Sequence, residues 1–349
     1  MNTRVPVAVL GATGTVGQKF VRLLAEHPWL ELVAVAASDK SAGRAYGDAV
    51  RWREPVPLPP RVAALTVQRS APPIAARIVF SALDADVAAP IEQAFARAGA
   101  LVVTNTKSHR MDADVPLCIP EINADHIGLI ERQRHARGWS GAIIANPNCS
   151  TAALVLALAP LHQAFGVERL FVSTMQAVSG AGYPGVASLD ILGNVVPHIS
   201  GEEAKIEEET CKIFGRMEEG GLRAAPIVVS AHCNRVATVD GHMEVVSVGL
   251  SVRVSPEDAM AAMSAFRGPE RVRGLPSSPE RPVEVELRAD RPQPRLDLER
   301  GHGMTVTVGR VRPCPLFDLR FVLLGHNTIR GAAGAAVQIA ELLVADRLA

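Results

Sequence analysis

The sequence predicts an α/β protein in two parts: a parallel sheet with helices on its faces, then an α+β half built on a mostly antiparallel sheet. Three observations carry this. Short apolar runs alternate with amphipathic helical stretches up to about residue 148. A glycine-spaced turn follows the first of those runs directly. Beyond residue 149 the apolar runs lengthen and few helices separate them.

Taken in order, residues 5–10 (VPVAVL) form a strand and GATGTVG a turn. Val16, Phe20, Leu23 and Leu24 then recur at i, i+4, i+7 and i+8, one apolar face of a helix. Residues 30–38 are a second strand; 76–83 and 100–106 are two more, with a helical stretch at 86–99 between them. Such alternation implies parallel pairing, because each return to the same sheet edge needs a crossover helix. The proline-rich 53–62 is a loop or an edge excursion. In the second half, 169–178, 227–236, 243–254 and 317–325 are long strands, and their texture suits antiparallel pairing. Between the first two lies an acidic helix at 200–215, and 330–349 is helical by spacing and propensity. The halves divide near Asn148, giving expected domains of 1–148 and 149–329.

Composition narrows the function. Lys+Arg and Asp+Glu each count 36 in 349 residues, so no net field attracts nucleic acid or an acidic membrane surface. The five cysteines, 118, 149, 211, 233 and 314, form no CxxC pair, and their odd number suits a reducing, cytoplasmic compartment better than a disulfide framework. Six apolar residues before the first glycine turn are too few for a signal-peptide core, and no run approaches the ~20 residues of a membrane span. A soluble protein is expected, with small-molecule partners and no metal.

Gly11, Gly14 and Gly17 stand after a strand and open a helix, the context in which such spacing cradles a pyrophosphate on amide N–H groups. The bland alternative is a tight turn without ligand. At the end of the second strand, Asp39 suits the ribose 2′-hydroxyl of NAD. Ser38, Lys40, Ser41 and Arg44 supply hydroxyls and cations that suit a 2′-phosphate, so the expectation is NADP on a Rossmann-like domain.

The segment ANPNCST (145–151) places Cys149 at the start of a long apolar helix. A helix N-terminus or a nearby cation lowers a thiol from ~8.5 and makes it a nucleophile. Asn148 and Ser150 are equally good cap residues, so a passive cysteine in a cap turn is the other possibility. Within HCNRVATVDGHMEV (232–245), alternation puts His232, Asn234 and Val236 on one face and Ala231, Cys233 and Arg235 on the other. His232 and Cys233 are expected to be structural. His242 follows a DG turn and can shuttle a proton. TNTKSHRM (104–111) carries Asn105, Lys107, Ser108 and Arg110, a cradle for phosphate or carboxylate. Glu202 and Lys205, one turn apart, read by themselves as a surface helix pair worth about 0.2–0.5 kcal/mol.

Together GATGTVGQ, ANPNCST, MQAVSGAGYPGVASLDILGNVVPHISGEEAKI, SAHCNRVATVDGHMEVVSV and GHNTIRGAAG span nearly the whole chain. In that order they resemble the aspartate-β-semialdehyde dehydrogenases of the branch found in archaea, fungi and some bacteria. The resemblance implies NADPH-dependent reduction of L-aspartyl-4-phosphate to aspartate semialdehyde, on the route to lysine, threonine, methionine and isoleucine. It implies Cys149 as the nucleophile that forms a thioacyl enzyme, His242 as acid/base and Gln176 as the group orienting the intermediate. Arg235 is implied to clamp the substrate carboxylate, Glu202 to meet its amino group, and Lys205 to lie near the phosphate that Arg110, Asn105, Lys107 and Ser108 hold. Gly11, Thr13, Gly14, Thr15 and Val16 are implied to line the pyrophosphate, with Ser38, Lys40 and Ser41 at the ribose, Asn327 at the nicotinamide end, and Ser179 and Gly180 as further cofactor-binding residues. The tail helix is implied to return to the cofactor domain, and the second domain to form a homodimer or homotetramer. Rival readings are a related thioester-forming reductase, acting on malonyl-CoA or N-acetyl-glutamyl phosphate, and a silent nucleotide-binding regulator.

Overall fold

The first sheet is built from six short strands, and their sequences explain their position. In the computed structural model, which describes residues 4–349, they are β1 (Val5–Leu10), β2 (Leu30–Ala37), β3 (Gln68–Arg69), β4 (Ile78–Ser81), β5 (Leu101–Thr104) and β6 (Ala142–Ala145). All pairs are parallel, in the order β3-β2-β1-β4-β5-β6. Every residue of β4, β5 and β6 is buried, as strands covered on both faces must be. Helix α1 (Thr15–Leu24) covers one face, with Phe20 stacked on Phe80 at 4.8 Å between ring centres. Helix α2 (Ala85–Arg97) makes the crossover from β4 to β5.

From β6 the chain enters α3 (Cys149–Phe165), in which every residue from Ser150 to Leu161 is buried. A helix apolar all round must be enclosed on all sides, and α3 lies against the second sheet while its cluster reaches back to Ala8, Leu10 and Val102 of the first. That second sheet contains β7 (Val167–Gln176) and, after the small ribbon of β8 (Arg216–Glu218) and β9 (Gly221–Arg223), β10 (Val228–Arg235), β11 (His242–Leu250), β12 (Val283–Glu286), β13 (Val306–Pro313) and β14 (Leu319–Gly325). Its order is β10-β7-β11-β14-β13-β12. The central pairs are antiparallel, as expected, but β10–β7 and β12–β13 at the edges are parallel. The sheet is therefore mixed. The parallel edge at β10 follows from the acidic helix α4 (Glu202–Ile213), which is the crossover between β7 and β10.

The tail begins with a π-turn, Ile329–Ala333, and continues as α5 (Gly334–Ala345). Ala336, Val337, Ile339 and Leu343 join the cluster of Val7, Phe20 and Leu24, so the tail does pack on the first half. Buried Glu341 fastens it through His27 Nε2 at 2.8 Å and the Ser277 hydroxyl at 2.6 Å. Among the described residues no helix is long and apolar enough to cross a membrane, and no group of three or more His, Cys, Asp or Glu could hold a metal ion.

Candidate active site

Cys149 opens α3, and Asn148 is its N-cap. The cap carboxamide oxygen accepts the Ser150 and Thr151 N–H groups at 3.0 and 3.1 Å. Its amide nitrogen donates to Glu202 at 2.7 Å, and the Asn148 backbone N–H donates to Glu209 at 2.6 Å. From the opposite side β11 begins at His242, whose Nε2 lies 3.1 Å from Cys149 Sγ. The Ala177 N–H donates to His242 Nδ1 at 3.1 Å. With Nδ1 accepting, the ring proton of a neutral imidazole sits on Nε2 and faces the sulfur.

Burial, reinforced by Glu202, pushes the Cys149 thiol up to about 12; Arg110, Arg235 and the Ser150 amide pull less strongly the other way. The sequence-based expectation of a thiol lowered by the helix start is corrected here. Desolvation outweighs the helix-start amides, two of which the Asn148 oxygen also engages. Burial likewise pushes His242 down to about 3, and Arg235 acts in the same direction. The dyad is thus a neutral thiol against a neutral Nε2–H imidazole.

Around the dyad, Gln176 closes β7 and donates to the Thr174 hydroxyl at 3.3 Å. Arg235 faces it across the β10–β7 register and donates from Nη1 to the Ala177 carbonyl at 2.8 Å. A Cβ on Gly180 would stand 2.8 Å from that guanidinium and 3.1 Å from the His242 ring, so bare backbone is what lets this loop cross the site. A cleft of about 490 Å³ runs past Cys149, lined by Asn105, Lys107, Arg110, Glu202, Lys205, Ser179, Gly180 and Asn327 among others. Glu202 and Lys205, paired at 2.9 Å, are a cleft pair and not the ordinary surface pair their spacing suggests. Arg110 is held by Glu209 at 2.9 Å and by the Asn105 carbonyl at 2.7 Å. Ser108 stays on the exposed rim, its hydroxyl on the Ala85 carbonyl at 3.4 Å. His232 is exposed on the opposite face of the sheet beside Phe171, and Cys233 is buried in the core.

The same cleft extends along the ends of the first sheet. Gly11 has φ +70°, and a Cβ there would collide with the Ala82 carbonyl. Gly11, Thr13, Gly14, Ser38 and Asp39 line one stretch together with Arg69 and Ser70. Thr15 and Val16 continue it toward Cys149. The buried Thr15 hydroxyl has no partner within the protein, a donor left free at the helix start. Asn327 accepts the Gly241 N–H at 2.8 Å and donates to Ser179 at 2.7 Å. A floor of glycine backbone, a free hydroxyl and a cation at the far end fit a phosphorylated dinucleotide. Lys40 and Ser41 lie on the turn beyond these lining residues; Arg69, 3.2 Å from Asp39, is the cation at the cleft edge.

Comparison with known proteins agrees with this geometry. A family model described as "Semialdehyde dehydrogenase, NAD binding domain" matches residues 6–130, and one described as "Semialdehyde dehydrogenase, dimerisation domain" matches 158–330. Aspartate-semialdehyde dehydrogenases of Archaeoglobus fulgidus and Methanothermobacter thermautotrophicus are 47% and 49% identical, over 99% and 97% of this chain and 99% of each relative. The crystal structure of the Candida albicans aspartate-semialdehyde dehydrogenase with NADP superposes with a TM-score of 0.92 at 42% identity, covering 99% of this chain and 100% of that one. The chain belongs to the aspartate-semialdehyde dehydrogenase family.

As a member of the aspartate-semialdehyde dehydrogenase family, the chain holds the Cys149 segment with residues that the sequence motifs left unmarked. Glu209 binds both the Asn148 N–H and Arg110, and Lys212 donates to the Arg110 and Asp112 carbonyls at 2.6 and 2.7 Å. A signal was present. Glu202, Lys205, Glu209 and Lys212 follow the i, i+3, i+7, i+10 spacing of one helical face, an alternation of charge aimed inward. Gly331 carried no such signal: a Cβ there would fall 2.6 Å from the Cys149 Cβ.

Proposed function

We propose that this protein reduces L-aspartyl 4-phosphate to L-aspartate 4-semialdehyde with NADPH, in the route to lysine, threonine, methionine and isoleucine. The observation that carries the reading is the 3.1 Å contact of Cys149 Sγ with His242 Nε2, in a cleft lined by Lys107, Arg110 and Lys205. Acyl phosphates need a soft nucleophile, an anion cradle and a proton donor, and this cleft supplies one of each.

Cys149 attacks the acyl carbon, the C–O bond to phosphate breaks, and the thiol proton leaves with the phosphate as the thioester forms. Lys107, Arg110 and Lys205 bind the phosphoryl group, with Asn105 and the rim hydroxyl of Ser108 completing its cradle. Glu202 receives the substrate amino group and Arg235 its carboxylate. Gln176 orients the acyl oxygen. NADPH, bound from Ser38, Lys40, Ser41 and Arg69 past Gly11, Thr13, Gly14, Thr15 and Val16 to Ser179, Gly180 and Asn327, supplies the hydride. His242 donates its Nε2 proton to the departing sulfur or to the oxygen that carries charge, and recovers it from solvent. The high resting pKa of the thiol makes this return of the proton to sulfur favourable.

The cofactor domain comprises 1–148 with 330–349 returned to it, and 149–329 is the catalytic and dimerisation domain of a homo-oligomer. Five free cysteines suit the reducing cytoplasm. The test is the reverse assay: aspartate semialdehyde plus phosphate with NADP+ or NAD+, beside parallel reactions with CoA thioesters. NADPH formation, lost in Cys149→Ala and in His242→Ala, is the expected outcome. No turnover of the semialdehyde with either cofactor, or an active Cys149→Ala enzyme, sinks the proposal.

A further inference from the structure

The tail carries a charge pair deep inside the molecule that neither the substrate cleft nor the cofactor cleft uses. Arg330 is 0% exposed and Glu121, from the short helix Pro120–Asn123 of the first half, 1%. Their contact is two-pronged: Nη2 to Oε1 at 2.7 Å and Nη1 to Oε2 at 3.1 Å. Arg330 Nε donates to the Met304 carbonyl at 2.7 Å, and Gln338 donates to Glu121 at 2.9 Å. A buried ion pair is weak evidence for stability, because its desolvation offsets its attraction and apolar residues of similar volume often do as well. What such a pair does provide is a fixed direction.

Here the direction matters because Arg330 lies inside the π-turn Ile329–Ala333. Single π-turns are rare and cluster at functional sites. This one packs against Cys149, and the segment leading into it is tied to the residue before His242. Gly331, next to Arg330, is so close to Cys149 that a methyl group would meet its Cα at 2.8 Å. Three residues before Arg330, Asn327 holds the Gly241 N–H, and Gly241 precedes His242.

We infer that the Arg330–Glu121 pair is a positioning device: by anchoring the π-turn to the first half of the chain, it sets the Cys149 sulfur against the His242 ring. Glu121 and Arg330 are positioning residues and touch neither substrate nor cofactor. The inference rests on Cys149 being the nucleophile.

The experiment is the double variant Glu121→Leu with Arg330→Met, which replaces both charges with apolar groups, together with Arg330→Lys. Thermal unfolding is measured beside kcat and KM in the semialdehyde assay. The expected result is a double variant with Tm near that of the parent, KM values within about threefold, and kcat lower by about 100-fold, the size of effect that ~1 Å of misplacement produces. Arg330→Lys, which keeps a cation but not the two-pronged contact, is expected to recover only part of kcat. A folded double variant with kcat within twofold of the parent overturns the inference. Should the double variant not fold, Arg330→Lys decides, and parental kcat in that variant overturns it. An active Cys149→Ala enzyme would instead remove the reading beneath, which separates the two failures.

Discussion

At the scale of single residues, the site turns on competition between burial and fixed charge at one sulfur. A cysteine at the first position of a helix is commonly expected to be acidic. Cys149 is not, since burial, and after it the charge of Glu202, outweighs Arg110, Arg235 and the Ser150 amide. With the thiol pushed up to about 12, its thiolate fraction rises about tenfold for each pH unit across the neutral and mildly alkaline range. Iodoacetamide labelling of Cys149 in the ligand-free protein should follow that slope from pH 7 to pH 10 without a plateau. Cys314 is an internal control. Burial raises its thiol, but the Leu316 and Phe317 amides with the Ser247 hydroxyl outweigh it and lower the thiol below its ordinary value. Peptide mass spectrometry should therefore find Cys314 modified before Cys149 at pH 7. A Cys149 rate that levels off below pH 8 would refute the account of its environment.

At the scale of elements, β11 shows how a functional strand departs from a purely structural one. Two residues beyond His242, Glu244 points to the same buried face, fully enclosed, with neither carboxyl oxygen bonded to another protein group. Burial, followed by the charge of Glu202, raises its pKa well above the ordinary 4.5, so the folded protein holds it as the neutral acid. A group with a raised folded pKa contributes its full stability below the unfolded value and loses it as pH climbs through the folded one. Glu244→Gln, which is neutral throughout, should therefore raise Tm by a few degrees at pH 8 and match the parent near pH 4. A difference that is constant across that range, or larger in acid, would contradict a neutral Glu244. The sequence reveals β11 itself, and its alternation assigns Arg235 and His232 to opposite faces on β10 correctly. Strands with plain apolar content were legible, whereas β12 (VEVE) is half charged and β13 is broken near Arg310 at φ 58°. The alternation of β12 runs for only four residues, and the β13 run is interrupted, so neither stands out as a strand. The cysteine, histidine and glycine turn were visible as motifs and Glu209 only as part of a charged helix face; Arg69 and Gly331 were not, because their roles arise only when distant segments meet.

At the scale of the whole molecule, the second sheet buries one face on α3 and leaves the other uncovered. Phe171, Met175, Met243 and Val245 alternate with core residues on β7 and β11, and Val228 at the β10 edge is 69% exposed. An apolar strip of this kind, set among Arg169, Ser173 and Ser247 on the same face, is expected to be covered. No other segment among the described residues does so, and the segment carrying it is the one that matches a dimerisation domain. A second copy packed face to face accounts for it: an isologous contact repeats each residue on both sides, so Val245 lies where one change is felt twice. Light scattering should give the parent at least twice the 37.0 kDa chain mass. Val245→Arg places two guanidinium groups in one apolar interface and should shift the protein toward the monomer at micromolar concentration. Because His242 opens the same strand only three residues before Val245, loosening the sheet is expected to lower kcat in the monomeric fraction. A parent that is monomeric at all concentrations, or a Val245→Arg protein with unchanged mass, would place the contact elsewhere and leave this face for another partner.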